Sequence, residues 1–369
     1  MTIRSEKSDE TPLVHLHCAG PRLRILQMTD LHYHDFLPDR WKELLAFRDL
    51  MRTEAPDLLV NTGDFFQQSD LRMATTVCTW FDRLLAARCP WCLALGNHDQ
   101  DADVPDPEAR LLAIEEMLSA LPSSLFRRSH RYMQALPGPD YEAELEAALK
   151  RGDCKIPLRE GRPAWDGFLG GNYALLVEHG QSLAWEIFVL NSRSYLHVPG
   201  KVRGWMKGLH TPGCPAVVFL HVPPRAYAAL IETGGYLGQA AEKVCFEAED
   251  GSFHRFLIEE MRDVVACFAG HDHVNDCAGL HDSVLYAYGR KSGTNAYGGY
   301  VNVPKPRDVE RGKLIRMGAT VIELDLTASS SREPLRASGP TWSYRGLSLR
   351  HLTMPPDLYL RDRSALTES

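Results

Sequence analysis

The chain has 369 residues, 44% hydrophobic and 24% charged, with 28 Gly and 23 Pro. That composition excludes a disordered chain, a collagen and a coiled coil, and leaves room for one large or two small cores. Forty-one Lys and Arg against 48 Asp and Glu give a net charge of −7, which argues against a non-specific nucleic-acid binder, whose electrostatic footprint is basic.

Residues 1–20 form a polar N-terminal segment without the apolar stretch of a signal peptide. No apolar run approaches the roughly 18 residues of a membrane span, so a cytoplasmic protein is expected. Next come Leu23–Met28, Leu58–Asn61 and Trp91–Leu95, apolar runs of strand length that each end in a Gly, Asp or Asn cluster. Between the first two, Trp41, Leu44, Leu45, Phe47 and Met51 recur at helical spacing, as do Ala74, Val77, Cys78, Phe81, Leu84 and Leu85 between the second and third. This β-α-β-α-β order predicts a largely parallel sheet with ligands at the carboxyl ends of its strands.

The pattern changes over residues 101–171, read as an insertion that covers the site. It holds a helix at Glu108–Leu121 and a charged stretch, Asp140–Trp165, whose helical pattern is confined to Tyr141–Lys150. Strands are predicted again at Asn172–Val177 and Trp185–Leu190, joined as a hairpin, and at Ala216–Leu220, Val264–Ala269, Val284–Ala287 and Thr320–Leu326. The main domain is therefore placed at 21–327, with 328–369 as an appended tail. Nine cysteines, mostly within apolar runs, read as buried thiols of a reducing compartment. Cys89 and Cys92 have redox or zinc spacing, but they lead into an apolar run and no second pair completes a zinc ribbon, so structural thiols are expected.

The polar strand ends carry the chemistry. In order they are Asp30-Leu-His32, Gly63-Asp64, Gly96-Asn-His-Asp99, His221 and Gly270-His-Asp-His273. A single histidine at a strand end is ordinarily a hydrogen-bonded loop residue, but five such fragments, each after an apolar run, call for a shared site. Their carboxylates, amide and imidazoles make a mixed nitrogen and oxygen donor set, suited to Mn, Fe, Zn or Ni rather than Ca. On an extended strand end Asp30 and His32 project to one side and can hold one ion, and His271 and His273 share that spacing. Asp64 is the natural bridge between two ions about 3.5–4 Å apart.

The set D-x-H, G-D, G-N-H-D, H, G-H-x-H resembles the signature of calcineurin-like metallophosphoesterases over Asp30 to His273. The resemblance implies a four-layer α/β/β/α sandwich of two mixed β-sheets around two divalent transition-metal ions. It implies that one ion is held by Asp30, His32, Asp64 and His273 and the other by Asp64, Asn97, His221 and His271. A metal-bridging hydroxide would then attack phosphorus in line. By the same resemblance His98 is the catalytic histidine, stabilising the transition state or protonating the leaving oxygen, and Asp99 orients it.

Gly270-His-Asp-His-Val-Asn-Asp276, followed by Tyr288-Gly-Arg-Lys-Ser-Gly-Thr-Asn-Ala-Tyr-Gly298, is similar to the intracellular purple-acid-phosphatase-like branch. The D-x-H form also matches class III cyclic-nucleotide phosphodiesterases. A true purple acid phosphatase has D-x-G at the first motif and a Tyr three residues after the bridging Asp. Here those positions are His32 and Gln67, so no tyrosinate-to-iron colour is expected. Arg290 and Lys291 in a Gly-rich loop, with His34, Arg193, Arg225 and Asn275, are candidate substrate contacts. Tyr286, Tyr288, Tyr297 and Tyr300 either stack a base or pack in a sheet.

The leading expectation is a phosphomonoesterase acting on a small molecule or a phosphoprotein. The alternatives are a phosphodiesterase for cyclic nucleotides or other diesters, and a binding scaffold that has lost catalysis. No membrane partner is expected, and nucleic acid only as a nucleotide substrate.

Overall fold

The computed structural model describes residues 3–7, 11–33, 38–66, 71–84, 89–100, 107–139, 143–144, 146–147, 150, 158–159, 162–163, 168–192, 198–246, 250–293, 296–297, 315–327, 335–338 and 340–354. Two mixed sheets face each other. The seven-stranded sheet runs, from one edge to the other, Arg336–Ser338, Thr341–Tyr344, Leu347–Thr353, Gly318–Asp325, Arg22–Met28, Leu58–Asn61 and Trp91–Leu93. The nine-stranded sheet runs Ile3–Lys7, Leu13–Cys18, Tyr173–His179, Ser182–Val189, Ala216–Phe219, Val264–Ala269, Val284–Tyr288, Ala278–His281 and Tyr236–Leu237. The strands that lead into the polar motifs are parallel in each sheet: Arg22–Met28, Leu58–Asn61 and Trp91–Leu93 in one, Ala216–Phe219 and Val264–Ala269 in the other.

The alternation of side chains along the second sheet sorts them into two cores. Val217, Phe219, Phe268, Leu285 and Ala287 join the first sheet in a central core. Ala216, Val218, Cys267, Ala269, Tyr286 and Tyr288 point the other way, toward helices Gly200–Leu209, Ala226–Thr233 and Ser252–Glu259. Helices Pro38–Glu54, Leu71–Leu84 and Pro107–Ala120 complete the stack on the first sheet. The second of these buries Ala74, Val77, Cys78 and Phe81, one helical stripe. The result is the α/β/β/α sandwich of two mixed sheets that the motif resemblance implies.

Two boundaries differ from the sequence reading. In the N-terminal segment, Leu13–Cys18 is a full strand with alternating burial, parallel to Tyr173–His179. His15 and His17 make it look polar, but both lie on one face and bond the two oxygens of Glu178, each at 2.7 Å, while Val14 and Leu16 are fully buried on the other. In the tail, strands Arg336–Ser338, Thr341–Tyr344 and Leu347–Thr353 extend the first sheet, with Leu347 and Leu349 in the core. Within the 101–171 insertion, helix Pro107–Ala120 packs against helix Leu71–Leu84 in the outer layer. Half of Tyr141–Lys150 lies outside the described residues, and Ala143, Glu144, Glu146, Ala147 and Lys150 are helical. Cys89 and Cys92 are buried free thiols, and burial pushes both up to about 12, which fits inert core residues.

Among the described residues no helix is long and apolar enough to cross a membrane. At the strand ends away from the polar motifs, fully buried Glu186 is held by His210 Nδ1 at 2.6 Å and by the Thr211 N–H at 2.8 Å. His210 Nε2 reaches Asp263 at 3.2 Å. The bond to Glu186, opposed by partial burial and helped by Asp263, raises the imidazole above its ordinary value. A raised folded value means that the stabilisation is complete below about pH 6.5 and is lost as the pH rises through that higher value. His210→Ala is therefore expected to cost about 3 kcal/mol at pH 6, the lower end for removing one partner of a buried pair, and less at pH 9. Urea unfolding at the two pH values measures this, and equal losses at both would show that the pairing is not ionic.

Candidate metal centre

The five motifs meet because each follows the carboxyl end of a strand, and the two sheets present those ends at the same rim. Asp30 and His32 follow Arg22–Met28, Asp64 follows Leu58–Asn61, and Asn97 and His98 follow Trp91–Leu93. His221 follows Ala216–Phe219, and His271 and His273 follow Val264–Ala269. The loops are laced by backbone bonds, Asp30 N–H to Gly63 O at 3.0 Å, His32 N–H to Asp64 O at 2.8 Å and Gly270 N–H to His221 O at 3.1 Å. Asp30, His32, Asp64 and His271 all have positive φ, at 57°, 50°, 51° and 76°. Each such residue costs about 1–3 kcal/mol and persists only where its surroundings hold it. Asp30 and His32 are thus not on an extended strand end as the sequence spacing suggested; a left-handed loop, not strand pleating, brings them together.

Two glycines explain the close approach. Gly63 lies at φ 95°, and a Cβ there would sit 2.6 Å from His221 Nδ1. A Cβ on Gly96 would collide with the Asp64 carboxylate and backbone N. Glycine is required at both because neighbouring loops pass without room for a side chain.

The donor atoms fall into two groups that share Asp64. In the first, His32 Nε2 lies 3.0 Å from His273 Nε2, 3.6 Å from Asp64 Oδ2 and 3.9 Å from Asp30 Oδ1, with His273 Nε2 at 3.3 Å from Asp30 Oδ1. In the second, His221 Nε2 lies 3.1 Å from Asp64 Oδ2, 3.1 Å from Asn97 Oδ1 and 3.3 Å from His271 Nδ1. One atom from each of Asp30, His32, Asp64 and His273 lies within 4.8 Å of the others, and the same is true of Asp64, His221 and His271. Ligands about 2.0–2.2 Å from a four-coordinate ion stand about 3.3–3.6 Å apart, so these separations suit one ion per group.

The electrostatics fit the same purpose. Asp30 and Asp64 are 1% exposed. Burial alone would raise the Asp30 carboxyl, but His273 and His221 outweigh it and hold it at about 2. Asp64 is held lower still, with burial overcome by His221, His32 and His98. Burial lowers His32 to about 4 and His271 to about 3, leaving both rings neutral and able to ligate. His221 is opposite: burial opposes its charge, yet Asp64 raises it to about 9. Its Nδ1 donates to Thr62 O at 2.7 Å; a carbonyl can only accept, so Nε2 is the nitrogen turned to Asp64 and Asn97. Two ionised carboxylates buried beside the neutral rings of His32 and His271, with a His221 that carries its charge against Asp64, form a donor set that suits cations.

His98 is half-buried at the edge of the first group, its ring edge-on to His32 with centroids 5.1 Å apart. Its backbone N–H donates to Asp64 Oδ1 at 2.9 Å, tying the loop to the shared carboxylate. Asp99 was expected to orient the His98 ring. Its oxygens instead accept backbone N–H bonds, Oδ1 from Phe66 and Oδ2 from Gly96, each at 2.8 Å. Asp99 therefore braces the loop carrying Asn97 and His98, a demand invisible in sequence because both donors are main-chain groups.

The candidate substrate contacts fare differently. Arg290 pairs with Asp276 and bonds Thr353 Oγ1, and buried Lys291 donates to Tyr297 O. The Asn275 carbonyl accepts the N–H groups of Ala241 and Glu242, and its amide donates to Glu242 O. These three brace the loops around the centre through contacts that residue type alone does not show. Arg225 lies over the Phe246 ring at 5.0 Å. His34, Arg193, Gln67 and Tyr300 lie outside the described residues. Tyr286 and Tyr288 pack in the sheet, Tyr288 donating to Asp272 at 2.6 Å. Tyr297 is 41% exposed, with its ring 4.1 Å from that of His273 and its N–H donating to His273 Nδ1 at 3.1 Å. Tyr297 is thus an aromatic residue beside the centre.

An α/β/β/α sandwich with two donor groups sharing a carboxylate at its rim defines a candidate metal-dependent phosphoesterase. Residues 23–275 match the family model described as calcineurin-like phosphoesterase, and the chain belongs to that family. Among similar proteins, one from Arabidopsis thaliana named probable inactive purple acid phosphatase 14 is 27% identical over 308 residues, covering 75% of this chain and 72% of that protein. Another, probable inactive purple acid phosphatase 28, is 27% identical over 315 residues, covering 74% and 71%. A dimetal phosphatase from Danio rerio has a TM-score of 0.43 at 14% identity, covering 91% of this chain and 100% of that one.

Proposed function

We propose that this protein hydrolyses phosphomonoesters at a binuclear centre. Asp30, His32, Asp64 and His273 would hold one ion, and Asp64, Asn97, His221 and His271 the other. The observation that carries this reading is the sharing of Asp64 between two donor groups. When bound there, two dications of Mn, Fe, Zn or Ni supply charge neutralisation for the phosphoryl group and acidify water. Asp64 presents one oxygen to both groups, while its other oxygen fixes the loop of His98. His98, whose ring stands edge-on to that of His32, would donate a proton to the leaving oxygen. Arg290, Lys291 and Asn275 make loop contacts, and the centre's positive charge would favour a dianionic monoester over a monoanionic diester. The buried free thiols support a reducing, cytoplasmic setting.

The names of the two plant relatives favour a second reading, a protein that binds metal without turnover. Hydrolysis of an aryl phosphate and of its bis-aryl diester by the manganese-loaded protein separates the possibilities. The monoester is expected to be cleaved at least about tenfold faster, a barrier difference of about 1.4 kcal/mol. A reversed ratio makes the protein a diesterase, and cleavage of neither with two ions bound establishes the inactive reading.

A further inference from the structure

A second cluster of metal-binding side chains lies at the tip of a hairpin. Strands Ala278–His281 and Val284–Tyr288 pair antiparallel with His281 opposite Val284, so Asp282 and Ser283 form a two-residue turn, at φ 47° and 69°. Helix Ser252–Glu259 brings His254 beside it. His254 Nε2 is 3.1 Å from Asp282 Oδ2, and His281 Nε2 is 3.8 Å from the same oxygen. The two rings stack with centroids 4.7 Å apart, and one ligand atom of each residue lies within 4.8 Å of the other two.

We propose that His254, His281 and Asp282 form a further metal site, separate from the binuclear centre, that takes Zn²⁺ or a similar borderline cation such as Ni²⁺ or Cu²⁺. Two imidazoles and a carboxylate are the donors such ions prefer over Ca²⁺ or Mg²⁺. The observed separations of 3.1 and 3.8 Å bracket the roughly 3.3–3.6 Å between ligands of a tetrahedral ion. One dication would serve all three donors at once. His254 Nδ1 meets the hydroxyl of fully buried Tyr286 at 2.7 Å; this outer partner fixes the ring so that Nε2 faces the cluster. Asp282 is 59% exposed at its side chain, which leaves water access to a fourth position. The ion would join helix Ser252–Glu259 to the hairpin. That helix leads into strand Val264–Ala269, and so to His271.

The test is metal content of the full chain after saturation with Zn²⁺ and removal of unbound ion, with thermal unfolding measured alongside. The wild type is expected to carry one zinc more per chain than Asp282→Asn or His281→Gln, and to show a zinc-dependent rise in Tm that both variants reduce. Asn suits a left-handed φ, so Asp282→Asn keeps the turn. Tyr286→Phe is expected to retain the additional ion with about tenfold weaker affinity, the lower end for losing an outer partner. Asp64→Asn, which disrupts the binuclear centre, is expected to keep it. Equal zinc content in the wild type and both hairpin variants overturns the proposal. So does a wild-type ion count that falls to zero in Asp64→Asn.

Discussion

Asp64→Asn is expected to strip the binuclear centre and abolish turnover. The substitution preserves volume and one oxygen, but removes the charge that both donor groups share. Asp64 Oδ2 lies 3.6 Å from His32 Nε2 and 3.1 Å from His221 Nε2, so neither group can keep its ion by relying on the other. Losing an outer partner of a metal ligand already costs about 10–100-fold in affinity, and the shared carboxylate should cost more than the upper figure. Metal content of that variant at micromolar free ion is expected to fall from two per chain to one or none in these two groups, with turnover on an aryl phosphate falling in step. Retention of both ions would remove Asp64 from the centre.

His98→Asn is expected to separate metal binding from catalysis. The ring stands at the edge of the donor set, and the contact with Asp64 is made by its backbone N–H, which Asn retains. Metal content should therefore match the wild type while kcat falls by about 10²–10⁴, the contribution of a positioned proton donor, with KM little changed. Loss of metal in parallel with turnover would show that His98 supports the ions rather than the reaction. The pair of variants distinguishes a ligand from a proton donor, two roles that a single activity measurement confounds.

The runs Leu58–Asn61, Ala216–Leu220 and Val264–Ala269 were legible as strands because continuous burial leaves a nearly unbroken apolar signature, and Leu23–Met28 because its apolar residues outweigh Arg24 and Gln27. The motifs at their ends were legible because side-chain chemistry is carried by residue type. Strand Leu13–Cys18 was not legible as part of the sheet, since its outward face is two histidines whose partner, Glu178, lies 161 and 163 positions away. Helix Pro107–Ala120 was legible as a helix but not as a layer, because its place depends on the neighbouring helix Leu71–Leu84.

Residue types and their order were enough to mark the candidate donors, Asp30, His32, Asp64, Asn97, His221, His271 and His273, with His98 beside them as the candidate proton donor. Tertiary structure alone decided how those donors divide in space around Asp64, that Asp30, His32, Asp64 and His271 sit in left-handed backbone, and that Asp99, Asn275, Arg290 and Lys291 brace loops. The physical reason is that a ligand's identity resides in its own side chain. A bracing role resides in a partner, often a backbone N–H or C=O, which every residue type supplies and no sequence motif marks.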